Sequence, residues 1–504
     1  VLRKFLPTGI LLSLVALFQP LLNTANAQNR QGYYPGDWVT FTNTRYINSI
    51  DVSYRYVYIG TTGGIIRLNT LEETWMDPIT ESDGLSSHEI WKVAFDRDMD
   101  ETWVETPLGY FSYNPVFQQW TTESDFPSGL KDPDKSSIIN FQTYTPLLGY
   151  QYYSDNKSAL IVDDKLREFR ITEAVEDDHR NLWVGTFGDG LYKFDMVSGF
   201  VEKKPFGPFQ DYIEDIYLDG DTVWFASLPV IDYDNAITMW DRRENEWHYY
   251  ESRYNDNIIS DEVNDIAADE KNVFFATDLG LVVFNKDRGQ FTSYNRRTGL
   301  RSQEIYSLHV EDSLLFMGGD GTVDILLIPQ KSIFPLSAPP QYVSRVDDMD
   351  RIGGSFWLCT TTGVLRYNEK EHKWKDFDTR DYNLNGEVWQ IYEAENGDVW
   401  FAGVDGVVHC DSEFNEIETF LSRHDLKMTV PHRIAVIGNK LWIGTDNGVL
   451  RYDLVTKLWD EYDKMDGLID EYINDMKVDG DYIWFATPEG ATRYYWNNPL
   501  NIRK

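Results

Sequence analysis

At 504 residues the chain is too long for one ordinary core, and long enough for a repeat array. Aromatic residues make up 15% of it, with 17 Trp and 31 Tyr, a content that excludes disorder. Eighty-two acidic residues against 46 basic ones leave a formal charge of −36. That balance argues against nucleic-acid binding and docking on anionic lipid, and suits a cationic, metal-bridged or neutral partner.

Residues 1–27 read as a secretory signal peptide. Arg3 and Lys4 form its charged start, Ile10 to Phe18 its apolar run, and Ala25-Asn26-Ala27 its cleavage site. The run is short for a membrane span and is broken at Pro20, so cleavage and export to the periplasm or cell surface are expected. No later stretch is apolar enough to span a membrane. Residues 28–504 are expected to form the repeat region.

The mature chain opens on an orphan strand, Asp37 to Thr42, that resembles Lys373 to Asp378. A phrase then recurs about every 42 residues, in the form Trp442-Ile443-Gly444-Thr445-Asp446-Asn447-Gly448-Val449-Leu450-Arg451-Tyr452-Asp453. Close copies start at Tyr58, Trp183, Phe274, Trp357, Trp400 and Trp484, and looser ones at Trp103, Trp224 and Leu315. An eleventh, divergent copy is expected between Leu147 and Ile171. In the last repeat, Tyr472 to Val478, Tyr482 to Ala486 and Ala491 to Trp496 read as three strands joined by tight turns. Leu458 to Tyr462 is the kind of fourth strand that other repeats add.

Four short strands per unit of this length predict an all-β chain of β-propeller blades, about ten or eleven. The last repeat lacks its fourth strand, so the N-terminal strand is expected to complete it and close a ring. One large ring or two rings fit the count. Ser124 to Ser137 and Pro329 to Pro340 are the candidate junctions. Cys359 and Cys410 fall on strands of neighbouring repeats, as buried thiols or as a pair between repeats.

These repeats resemble the two-component regulator propeller repeat. Asp83 to Ile90 and Thr298 to Ile305 carry the first half of its pattern, and Asn181 to Tyr192 the second. The resemblance implies a propeller of the kind found in the extracytoplasmic sensors of hybrid histidine kinases, many thought to detect glycan fragments. No histidine kinase follows here, so a stand-alone exported propeller is expected, similar to accessories of envelope or secretion machinery.

Ring closure would gather two sets of acids at one channel mouth. One set precedes the first strand of a repeat: Glu89, Glu262, Glu304 and Glu387. The other sits between its second and third strands: Asp189, Asp278, Asp320, Asp405, Asp446 and Glu489. Trp91, Tyr306 and Trp389 stand nearby, placed to stack on a sugar or anchor a protein. The repeated Trp103, Trp183, Trp224, Trp357, Trp400, Trp442 and Trp484 read as packing residues. Converging carboxylates favour a cation, a metal ion such as calcium or a basic partner. No metal ligand set is assigned and no cofactor is expected; Asp96 to Glu101 reads as a solvated turn. No G-x-S-x-G, H-E-x-x-H or P-loop motif occurs.

The expected function is therefore a non-enzymatic protein-interaction or ligand-recognition module of the cell envelope. One alternative is a glycan-binding sensor component, binding an oligosaccharide and working with a separate membrane kinase. Another is a propeller lyase or hydrolase with His88, Glu89 and neighbouring acids at the channel mouth.

Overall fold

The computed structural model describes residues 33–500, apart from residue 35, the segments 117–118, 131–151, 155–158, 230–233 and 337–344, and a few positions between 369 and 385. The signal peptide read at 1–27 lies outside the described residues. Among the described residues there are ten antiparallel sheets, eight of them four-stranded.

One device recurs in seven of the ten sheets. The second strand ends in Thr, and the third begins three or four residues later at Gly. The Thr hydroxyl donates to that Gly carbonyl, at 2.8 Å for Thr61–Gly64, Thr186–Gly190, Thr277–Gly280, Thr360–Gly363, Thr445–Gly448 and Thr487–Gly490. Gly280 shows why Gly is needed: its φ is +138°, and a Cβ there would fall onto the Tyr294 carbonyl. The preceding Trp is buried in every close copy that carries one, so Trp183, Trp357, Trp400, Trp442 and Trp484 are core.

Seven sheets close into a ring. Their inner strands are Ile213–Asp219, Val263–Ala268, Ile305–Glu311, Val346–Ile352, Val388–Glu393, Pro431–Ile437 and Asp475–Asp479. Each contacts the next, and the last contacts the first. We number these blades 1 to 7. Blade 7 takes its outer strand from the chain start: Trp38–Phe41 pairs with Gly490–Tyr494, setting Trp38 opposite Tyr494 and Thr40 opposite Thr492. The Trp38 and Tyr494 rings stack with centroids 4.0 Å apart.

The other three sheets form a separate stack, blades A, B and C, inserted between the two parts of blade 7. Their inner strands are Ile47–Val52, Lys92–Asp96 and Glu168–Glu176, with the first in the middle. Among the described residues the eleventh repeat expected between Leu147 and Ile171 is not a blade of its own; 147–151 and 155–158 lie outside them. Tyr152–Ser154 and Ala159–Val162 instead extend blade C, where Ala159–Val162 pairs with the first half of the long strand Glu168–Glu176. The described chain crosses between ring and stack at residues 42–46 and 205–212. Pro329 to Pro340 holds the outer strand of blade 3, Ser332–Pro335. Ser124 to Leu130 follows blade B within the stack, and 131–137 lies outside the described residues. The described crossings lie at neither expected junction, and 337–340 of the second also lies outside the described residues. Composition pointed to both because Pro, Asp and Ser also favour loops inside a propeller.

Inner strands are stitched by a polar residue at a β-bulge. The Asp215 carboxylate accepts from Ile266 N, Asp265 from Leu308 N and Asp348 from Ile391 N, at 2.6–2.9 Å. The Gln390 carbonyl serves Ile434 N in the same way, at 2.7 Å. The stack repeats the device with Ser49 on Val93 N and Glu173 on Ile50 N. A small residue on strand two makes room for this bulge. A Cβ on Gly444 would lie 2.6 Å from Ile473 Cγ2 of the next blade. Ala226, Ala276, Ala402, Ala486 and Cys359 hold the same place elsewhere. Cys359 and Cys410 are free thiols in one core cluster between blades 4 and 5. Gly444→Val should therefore cost about 1–3 kcal/mol through overpacking, and Gly444→Ala distinctly less, as read by denaturant unfolding.

Candidate functional site

Each inner strand of the ring opens on a four-residue phrase. The first and last residues are mostly apolar and enter the core, the third makes the stitch, and the second faces the channel. The second positions are Glu214, Asn264, Tyr306, Asp347, Trp389, His432 and Asn474. All seven line a cavity of about 430 Å³ at the channel mouth, together with Glu304, Arg345, Glu387, Arg433 and Tyr472. Asn264 and Asn474 donate to Ile305 O and Ile213 O, so these side chains also fasten one blade to the next.

Two of the expected acids meet the expected aromatics here. Tyr306 OH donates to Glu304 Oε2 at 2.9 Å, and Trp389 Nε1 to Glu387 Oε2 at 3.1 Å. The spacing of two residues along an extended strand puts both members on one face. Aromatic rings continue around the mouth from Trp389 to His432 at 5.2 Å and on to Tyr472 at 4.7 Å. Tyr472 is 43% exposed. Burial pulls His432 below its usual pKa, which keeps it neutral.

Asp278 lies near Glu262, whose pKa is raised by burial and by Asp278. Asp320 lies near Tyr306, and Asp446 near His432 and Tyr472. Asp405 stands in the turn of blade 5, where its carbonyl accepts from Ser422 N. The remaining expected residues lie elsewhere. Glu89 and Trp91 form the same acid–aromatic pair, Trp91 Nε1 donating to Glu89 Oε1 at 2.9 Å, but on blade B. Asp189 is buried in blade C with Lys203 and Tyr192. Glu489 faces the cleft between stack and ring. Glu214, Asn264, Asp347 and Asn474 were not anticipated. Aligning the four-residue phrase, rather than the acids alone, would have found them.

Beneath the mouth is a buried charge cluster. Lys477 Nζ lies 3.0 Å from both Asp215 and Asp475, and Arg433 Nε 3.4 Å from Asp475. Burial raises Asp348 to about 7 and Asp265 to about 6. Burial would raise Asp475 as well, but Lys477, with Asp215 and Arg433, brings it down to about 2. The floor therefore carries a cation, Arg433, and on the rim Arg345 pairs with Asp347 at 2.5 Å while Glu214, Glu304 and Glu387 supply further carboxylates.

The second large cavity, of about 720 Å³, is the cleft where stack meets ring. Tyr46, Phe169 and Phe187 line it, with Arg45, His88, Arg167, Asp211 and Glu489. His88 pairs through Nδ1 with Glu81 at 3.3 Å, which raises its pKa. The pairing of His88 with Glu89 considered for catalysis is thus not formed. Glu251 of the ring is held by two residues of the stack, Lys165 at 2.5 Å and Arg167 at 2.7 Å. Among the described residues no cluster of His, Cys, Asp and Glu has metal-binding geometry, and no helix is long and apolar enough to cross a membrane.

Several solved structures are similar to this one in fold. PorZ, described as an essential surface component of the type-IX secretion system of Porphyromonas gingivalis, matches with a TM-score of 0.50 and 14% identity, over 89% of this chain and 74% of that one. The extracellular domain of a putative hybrid two-component system from B. thetaiotaomicron matches with a TM-score of 0.48 and 13% identity, over 90% and 70%. No family model matches the sequence, and no curated protein does. Likeness at this identity shows the fold.

The buried acids set a pH dependence. Asp348 and Asp265 keep protons in the folded ring up to about pH 7 and 6, whereas an unfolded chain releases them near pH 4. The folded state then binds more protons, so stability falls as pH rises from about 4 to 7. Asp475 acts in the opposite sense, and its contribution is lost only below about pH 4. Denaturant midpoints should be lower at pH 8 than at pH 5. Asp348→Asn, which follows the amide already used at Gln390, should shrink that difference.

Proposed function

We propose that the protein is an exported, non-enzymatic interaction module that recognises basic groups of a partner at the mouth of its seven-bladed ring. The carrying observation is the convergence there of Glu214, Glu304, Asp347 and Glu387 with Tyr306, Trp389 and Tyr472 in one cavity. A Lys or Arg side chain entering it would meet carboxylates and aromatic faces together, the two surfaces that attract a cation. Hydrogen bonding to Glu304 and Glu387 fixes Tyr306 and Trp389 in place, which lowers the entropy lost on binding. A surface role for the similarly folded PorZ supports placing the module in the envelope. The signal-like residues 1–27 support export.

Octalysine should bind the whole chain with an affinity that falls as salt rises. Glu304→Gln with Glu387→Gln changes only two charges of a −36 chain. A loss of about tenfold in the double variant, measured by calorimetry, would assign binding to the mouth, about 1.4 kcal/mol. Unchanged affinity would mean that octalysine reads the bulk charge and that the mouth is not the site.

A further inference from the structure

The cleft between stack and ring holds a guanidinium that forms no ion pair among the described residues. Arg45 is 6% exposed and lies on the crossing segment 42–46. Its Nη1 donates to Gly188 O at 3.1 Å, and its guanidinium lies over the Phe209 ring, 3.5 Å from the centroid. Its Nε–H has no hydrogen-bond partner, and among the described residues no carboxylate forms an ion pair with it. A buried guanidinium left this way is destabilising unless something else completes it.

The acids nearby are already engaged. Asp189 takes Lys203 at 2.5 Å, and Glu251 takes Lys165 and Arg167. Glu489 takes Lys464 at 3.1 Å, and Asp234 takes Arg253 at 3.3 Å. Asp211 accepts from Asn43 N at 2.7 Å. Burial holds Asp211 up at about 6, which weakens its claim on a cation. Arg45 is thus the cleft's one cation without an acid partner among the described residues.

The walls beside it are aromatic. Phe187 is 39% exposed, meets Tyr46 edge-on at 5.1 Å, and carries Arg170 at 5.0 Å from its ring centroid. The cleft volume, about 720 Å³, is in the range of small-molecule sites.

We propose that this cleft is a second ligand site, separate from the ring mouth, for an organic anion: a carboxylate, phosphate or sulfate received by Arg45, on a molecule whose flat face lies against Phe187 and Tyr46. The planar guanidinium offers paired donors that match such a group. The ligand would touch both the stack and the ring, so its binding would strengthen their contact.

Thermal unfolding of the whole chain with phenyl phosphate, benzoate and neutral phenol tests this. The two anions should raise Tm in a saturable way, and phenol should not. Arg45→Lys should weaken phenyl phosphate binding by about tenfold, because the fork is lost while the charge stays. Phe187→Ala changes an exposed ring and decides the matter should Arg45→Lys fail to fold. Glu387→Gln, at the ring mouth, should leave the response unchanged. No shift with either anion would overturn the proposal. So would binding that persists undiminished in Arg45→Lys, or in Phe187→Ala where that variant decides.

Discussion

The pairing of Trp38–Phe41 with Gly490–Tyr494 is the constraint from which the rest of the molecule follows. It joins residues 450 or more positions apart, so it forms only after the intervening chain is organised. It gives blade 7 its fourth strand and covers the open edge of Gly490–Tyr494, which closes the ring. It also fixes where the chain leaves the ring and where it must return. Thr44 Oγ1 donates to Phe206 O at 2.7 Å, tying the outgoing and returning segments side by side. Blades A, B and C are therefore held at both ends against the ring, and the cleft between them is a consequence of ring closure.

Within the ring, one short phrase does two jobs. Its third residue stitches a blade to its neighbour, and its second faces the channel. Packing needs fix the third position to a hydrogen-bond acceptor in five of the seven blades: Asp215, Asp265, Asp348, Gln390 and Asp475. The second position is freer, and carries Glu, Asn, Tyr, Asp, Trp, His and Asn in turn. Variation at a rigidly held place is how a repeat fold acquires a specific surface.

Much of this was legible in the sequence. Trp-x-Gly-Thr records the core ring, the space for the next bulge and the hydroxyl that closes the hairpin, so blades could be recognised one at a time. The fourth strand missing after Trp496 and the orphan strand at Trp38 pointed to closure. Other long-range relations were not legible. The crossing at 42–46 looks like any polar loop. Ala159 to Asp164 has the composition of a strand but not the partner that makes a blade. The isolation of Arg45 depends on acids in blade C and the ring that satisfy other cations. Glu89 and Trp91 repeat the local pattern of Glu387 and Trp389, yet blade B is outside the ring, so the same residues serve a different surface.

The most direct measurement is a disulfide across the closing strands. The Thr40 and Thr492 hydroxyl oxygens lie 3.0 Å apart, facing each other across the pair. Thr40→Cys with Thr492→Cys should oxidise within one molecule, seen as a faster-migrating species under non-reducing electrophoresis, and should raise the unfolding midpoint. Failure to crosslink in the folded protein, or linkage only between molecules, would contradict the closed ring and everything built on it.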